Sequence, residues 1–218
     1  MKNRALIFRG GWDGHSPIET TDMIAAKLRA AGVEVDIKEG TSCLTELDLT
    51  AYQLIVPMVT MSKIEGPEEK ALLAAIKGGV NCGGWHGGMC DSFRNNTEYQ
   101  YMTGGQWVVH PGNIIDYTVL VDAVDHPIMK GIPQEFKMHS EQYYMHTDPG
   151  NVVLAKTVFG GAHDPWINGT VMPCVWTRRY GKGKIFYSSL GHNFDDFKNT
   201  PEVAEIITRG LLWLLDML

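Results

Sequence analysis

The segment Val80-Asn81-Cys82-Gly83-Gly84-Trp85-His86-Gly87-Gly88 constrains the fold of this chain more than any other. It starts apolar and ends in a glycine-bracketed turn. Glycines on both sides of one side chain relieve the Cβ clashes of a sharp strand-to-helix elbow. Such an elbow needs a buried strand before it and a helix after it, the repeating unit of a parallel α/β sheet. It also lifts its central side chain out of the sheet into a cleft. Hydrolases place serine there; this chain places His86, a ring expected to be exposed.

The flanking pattern agrees with that unit. Residues 5–9, 33–37, 54–59 and 80–85 are short apolar or alternating runs that predict strands. Residues 17–31 predict a helix, with Ser16 as cap, Pro17 in the first turn, Glu19 three residues after the cap and Gly32 as its stop. Residues 67–77 predict another, stopped by Gly78-Gly79. The polar, aromatic and glycine-rich residues 91–113 predict an irregular lid over the elbow. Residues 114–121, 137–145, 152–157, 171–178 and 184–189 predict strands of a mixed second half, the last two joined by the turn Tyr180-Gly181-Lys182-Gly183. Residues 201–218 predict a terminal helix capped by Thr200. Its Ile206, Ile207, Leu211, Leu212, Trp213, Leu215 and Leu218 span too wide an arc for one exposed face, so it is mostly buried or part of a homo-oligomer interface. No repeat, linker or low-complexity stretch divides the chain. The expected fold is α/β, a mostly parallel sheet with helices on both faces, as a single domain over residues 1–218.

Composition narrows the partners. A net charge of −6 argues against nucleic acid and anionic membrane. No apolar run approaches the ~20 residues of a membrane span. Met1-Lys2-Asn3-Arg4 is basic, but the apolar run after it is too short for a signal-peptide core. Cys43, Cys82, Cys90 and Cys174 form no C-x-x-C pair, which suits a reducing compartment, so a cytoplasmic protein with a small-molecule partner is expected.

Ligands of such sheets bind beyond the carboxyl ends of strands. Three histidines follow predicted strands: His15 in Gly10-Gly11-Trp12-Asp13-Gly14-His15, His86 on the elbow, and His192 in Gly191-His192-Asn193. The topology should bring them to one edge. A further cluster, His139-Ser140-Glu141-Gln142-Tyr143-Tyr144-Met145-His146, would set His139, Glu141 and Tyr143 on one face of a strand. Glu141 among histidines can act as a base or bind a sugar hydroxyl. Trp12, Trp85 and Trp107 near the cleft would suit stacking on sugar rings, though large aromatics also serve as core. His110, His126 and His163 read as loop residues. Cys90 lacks an activating neighbour, so a cysteine hydrolase ranks last. Histidine and glutamate both ligate divalent metals, but no H-x-x-x-H or H-x-H spacing specifies one. The stretch 9–14 is no dinucleotide fingerprint, and no motif demands a cofactor.

Taken together, these residues resemble the ThuA family, named for trehalose utilisation, within the class I glutamine amidotransferase-like, flavodoxin-like folds. The resemblance rests on His15, the run 83–88, Asp125-His126-Pro127-Ile128-Met129-Lys130-Gly131-Ile132-Pro133, Glu141-Gln142-Tyr143-Tyr144, Pro173-Cys174-Val175-Trp176, Tyr180-Gly181-Lys182-Gly183-Lys184 and Ser188-Ser189-Leu190-Gly191-His192. It covers nearly the whole chain in order. Amidotransferases carry a cysteine on the elbow, where this chain has His86. Their acid two residues after the downstream histidine is here Phe194, so glutamine hydrolysis by that route is not expected. The resemblance implies carbohydrate catabolism on a small glycoside, with a 3-keto sugar as substrate class. His15, His86, Glu141 and His192 would be the working set, acting by acid–base chemistry or as ligands of a divalent metal. Trp12, Trp85, Asn193 and Tyr143 would contact substrate. The competing reading is a non-catalytic sugar-binding or regulatory module on an enzyme scaffold.

Overall fold

The computed structural model describes residues 3–218; Met1 and Lys2, half of the basic amino-terminal run, lie outside the described residues. Strand β1 (Arg4–Gly11) is flanked by β2 (Glu34–Glu39) and β3 (Leu54–Thr60), and β4 (Asn81–Trp85) follows. Alternation along β1 and β3 sorts their side chains. Ala5, Ile7, Leu54, Val56 and Met58 enter one buried cluster, and Leu6, Phe8, Ile55 and Val59 the other. A strand apolar on both faces needs cover on both. Helices α1 (Pro17–Ala30) and, at the far end of the chain, α7 (Pro201–Leu214) supply one face; α2 (Cys43–Glu46) and α3 (Gly66–Gly78) supply the other.

The elbow runs from β4 into the short helix α4 (His86–Cys90), and α5 (Thr97–Thr103) and β5 (Gly105–Val109) follow it. The second half contributes β6 (Ile114–Val121), β7 (Glu135–Glu141), β8 (Tyr144–Thr147), β9 (Val152–Val158), β10 (Val171–Tyr180) and β11 (Gly183–Ser188), then α6 (Phe194–Asn199). Nine strands form one sheet in the order β2-β1-β3-β4-β11-β10-β9-β6-β7. From β2 to β11 every neighbour is parallel; from β11 to β7 every neighbour is antiparallel. The sheet is therefore mixed, parallel in the half that carries the elbow. That half has the 2-1-3-4-5 order of flavodoxin-like sheets, with β11 as its fifth strand.

Several expectations need correction. The lid is not irregular: α5 is capped by Asn96, whose side chain accepts from the Tyr99 N–H, and β5 pairs antiparallel with β8. The predicted strand 137–145 is broken at Gln142-Tyr143, because β7 stays with the large sheet while β8 leaves it for β5. Ser16 precedes α1 in the left-handed region, φ 47°, so its hydroxyl makes no cap. The terminal helix α7 stops at Leu214 rather than Leu218; it is mostly buried as expected, with Leu211 and Leu214 beneath β4 and β11 and Leu212 and Trp213 partly buried. No helix among the described residues is long and apolar enough to cross a membrane.

α7 can dock this closely because β4 offers it Gly83. A Cβ there would stand 2.6 Å from Leu214 Cδ1 and 3.0 Å from Leu211 Cδ2. Gly83→Ala should cost about 1–3 kcal/mol by overpacking, and Leu214→Ala alone about 2–5 kcal/mol by leaving a cavity. Because the new methyl fills space vacated by Leu214, the double variant should lose less than the two single losses combined. Urea unfolding of the four proteins measures that coupling; strict additivity would contradict this packing.

Candidate functional site

The carboxyl ends of β1, β4 and β11 lie within one run of the parallel half, and each is followed by one of the three histidines. His15 ends a single 3₁₀ turn, Asp13–His15, after β1. His86 sits at the elbow with φ 47°, a left-handed backbone that a non-glycine residue adopts at some cost. His192 follows β11, and its backbone N–H donates to Asp196 Oδ2 at 2.9 Å, an oxygen that also accepts from Ser140 Oγ at 2.7 Å. The second bond ties the end of β7 to the loop that carries His192. Glu141, the last residue of β7, is thereby held beside the histidines.

The convergence is close. Ring centroids are 4.6 Å apart for His15–His86, 5.1 Å for His15–His192 and 5.3 Å for His86–His192. Glu141 Oε2 lies 3.5 Å from His86 Nε2 and 3.3 Å from His192 Nδ1. One ligating atom from each of His15, His86, Glu141 and His192 falls within 4.8 Å of every other, and all four residues are buried. Gly87 makes the approach feasible: a Cβ on it would run into the His15 imidazole.

Each histidine is aimed by its other ring nitrogen or its backbone. His15 Nδ1 meets Thr60 Oγ1 at 2.8 Å, and His86 Nδ1 meets the Tyr143 hydroxyl at 2.9 Å. The Tyr187 hydroxyl donates to the His86 carbonyl at 3.2 Å. Three of the inward atoms, His86 Nε2, Glu141 Oε2 and His192 Nδ1, are buried without a hydrogen-bond partner. Unpaired buried polar atoms are costly, and three facing one another mark a place built for a group that all of them can bind.

Burial keeps the His15 and His86 imidazoles uncharged near neutral pH. Burial, with His192 and His110 nearby, pushes His15 down to about 4 against the opposing pull of Glu141. Burial, with His15, His192 and His110, holds His86 well below the usual imidazole range. For Glu141 burial pushes upward, but the imidazoles around it, His192 first and then His110 and His15, prevail and lower it. Neutral His15 and His86 and an ionised Glu141 are metal ligands in their binding form.

A cavity of about 320 Å³ opens onto the cluster, its wall including Trp12, His15, Trp107, His110, Glu141 and His192. Trp12 stands edge-on to His15 at 4.8 Å and is half exposed. Arg94 lies over the Trp107 ring at 4.5 Å, held there by two bonds to Asp91 of 2.6 and 2.8 Å. Tyr143 reaches the same wall.

Other expected residues stand elsewhere. The His86 ring is not exposed on its elbow: the Tyr143 ring covers it at 4.0 Å, and it is fully buried. Trp85 is also fully buried, packed on Phe197 on the opposite side of the elbow, so it offers no sugar platform. Asn193 is used as the cap of α6, its Oδ1 accepting from the Asp195 and Asp196 N–H groups. His139 turns outward and pairs with Asp116 at 2.7 Å, away from Glu141. Cys82 and Cys90 are buried, and burial pushes Cys82 up to about 12 and Cys90 higher still, which leaves neither a reactive thiolate. The residue that sequence reasoning missed is His110. It was assigned to a loop, yet its Nε2 stands 3.6 Å from Glu141 Oε1, because the β5–β8 pairing folds the segment after Trp107 across the cluster. Thr60 and Asp196 were missed as well, since each acts through a bond 45 or 56 residues away in sequence.

Comparison with known proteins agrees with the fold. The sequence model of the ThuA family, described as trehalose utilisation, matches residues 4–214. No curated protein matches by sequence. Among solved structures, a ThuA-like protein from Bacteroides uniformis superposes with a TM-score of 0.78 at 18% identity, covering 97% of this chain and 91% of that one. A ThuA-like protein from Parabacteroides merdae gives 0.75 at 18%, covering 98% and 90%. A cold-adapted β-galactosidase from Rahnella sp. R3 shares the fold at 0.64 and 17% identity, where all of this chain covers 32% of the larger enzyme. The chain is a member of the ThuA family.

Proposed function

We propose that this protein is a carbohydrate-catabolic enzyme whose His15, His86, Glu141 and His192 hold one divalent cation beside a sugar-sized cavity. The single observation that carries the reading is the set of three unpartnered buried atoms, His86 Nε2, Glu141 Oε2 and His192 Nδ1, facing one another. Nitrogen and carboxylate donors together suit zinc, manganese or iron. Thr60 and Tyr143 accept the outer N–H groups of His15 and His86 in this arrangement, freeing the inner nitrogens, which is how metal-bound imidazoles are commonly oriented. A cation held there supplies a Lewis acid that polarises a carbonyl oxygen.

The substrate class we infer from family membership and cavity is a small glycoside oxidised at carbon 3. A ketone acidifies the adjacent C–H. A base takes that proton, the freed pair forms a C=C bond, the C–O bond to the departing sugar breaks, and the proton passes to the departing oxygen. His110 is the base this geometry favours, since it lines the cavity and stays outside the four-residue set. Trp12 and Trp107 flank the same space and suit the apolar faces of a pyranose. The site belongs to the reducing, cytoplasmic setting that four unpaired buried cysteines favour.

Protein purified without chelators should carry close to one equivalent of zinc, manganese or iron by elemental analysis. His86→Ala and Glu141→Gln should each lower that affinity by at least about 10- to 100-fold while the fold persists, as judged by circular dichroism. Wild-type protein that takes up no stoichiometric metal from any of the three would refute the site.

His110→Ala should keep its metal and lose turnover of a 3-keto glycoside by about 10² or more, the scale of a lost general base. The check is release of the departing sugar under saturating substrate. Turnover within a few-fold of wild type would remove His110 from the reaction.

A further inference from the structure

A second cavity, of about 420 Å³, lies against the first. Its walls are the loop after β3, residues 61–65, and the loop after α4, residues 93–96. Met61 and Arg94 line both cavities, so the two spaces adjoin along a common rim formed by these side chains. That rim is held in place. Met61 N–H donates to the Asp91 carbonyl and Ser62 N–H to the Ser92 carbonyl, both at 2.8 Å, which stitches the two loops together. Arg94 is pinned by the two hydrogen bonds it donates to the Asp91 carboxylate and by its seat on Trp107. Met61 holds a left-handed backbone, φ 53°, with its side chain half exposed at the boundary. Strain of this kind persists where the surroundings impose it.

The chemistry of the second space matches a sugar. Ile64 and the Met61 thioether give an apolar side, while Ser62, Asn95 and the Arg94 guanidinium give hydroxyl partners. Asp91 neutralises Arg94, and Lys63 and Glu65 on the same wall carry opposite charges, so a neutral polyol fits there better than an anion. The first cavity, at about 320 Å³, is near the lower bound of ligand pockets and has room for one ring only. We infer that the cleft between residues 61–65 and 93–96 is a second sugar subsite, which receives the departing half of a disaccharide-sized glycoside whose oxidised half lies against the histidine–glutamate cluster. This rests on the proposed function above and specifies its substrate as a disaccharide.

Calorimetric binding to the zinc-loaded protein tests it, with 3-keto-glucose and 3-keto-trehalose as probes. The disaccharide should bind at least about tenfold more tightly than the monosaccharide. Asn95→Trp and Ser62→Trp, which fill only the second cleft, should bring the disaccharide down to the monosaccharide's affinity and leave zinc uptake and monosaccharide binding unchanged. Equal affinity of the two sugars for wild-type protein, or a disaccharide preference that survives both substitutions, would overturn the subsite while leaving the metal site standing. Failure of both sugars to bind would overturn the sugar-site reading and the subsite with it.

Discussion

A buried carboxylate oxygen and two buried imidazole nitrogens, none with a hydrogen-bond partner, meet at one point beneath the ring of Tyr143. Taking such groups out of water without pairing them costs several kcal/mol in all. Among the described residues none hydrogen-bonds these three atoms, and much of the surrounding protein enforces their approach. Gly87 lets His15 approach, the left-handed backbone at His86 turns that ring inward, and Asp196 holds the His192 backbone. The fold gives up stability to assemble a donor set, and in the reading proposed here a divalent cation would supply the charge and coordination that offset the cost.

The two halves of the sheet divide the work. The parallel half delivers three histidines from the carboxyl ends of β1, β4 and β11, as strand order in doubly wound sheets leads one to expect. The antiparallel half delivers the only carboxylate of the set, at the end of β7, and the Ser140–Asp196 bond joins the two contributions. The β5–β8 ribbon closes the space, carrying Trp107 and leading to His110 on one side while Tyr143 precedes it on the other. Burial and mutual repulsion keep protons off His15 and His86, which leaves both imidazoles free to bind a cation near neutral pH.

What was legible in the sequence was what short-range pattern dictates. The glycines around His86 announced the elbow, and β-strand periodicity placed His15 and His192 just past strand ends. Glu141 stood out as a carboxylate among histidines. Depth was not legible. His86 was expected to be exposed because an elbow projects its residue, whereas Tyr143 and the β5–β8 ribbon, both set by long-range pairing, bury it. Trp85 lies one residue before the elbow and so points to the opposite side, a consequence of pleating that the aromatic count near the cleft concealed. His110 had no local signal, because only the pairing of β5 with β8 brings its loop to Glu141.

The most direct measurement is X-ray absorption at the metal edge of zinc-loaded protein. The account predicts about one zinc per chain, a first shell of light donors with the multiple-scattering pattern of about three imidazoles, and no sulfur at the ~2.3 Å of a thiolate. Loss of one imidazole contribution in His86→Ala would locate that ligand. A sulfur-containing shell, or zinc that binds without imidazole, would contradict the histidine–glutamate site.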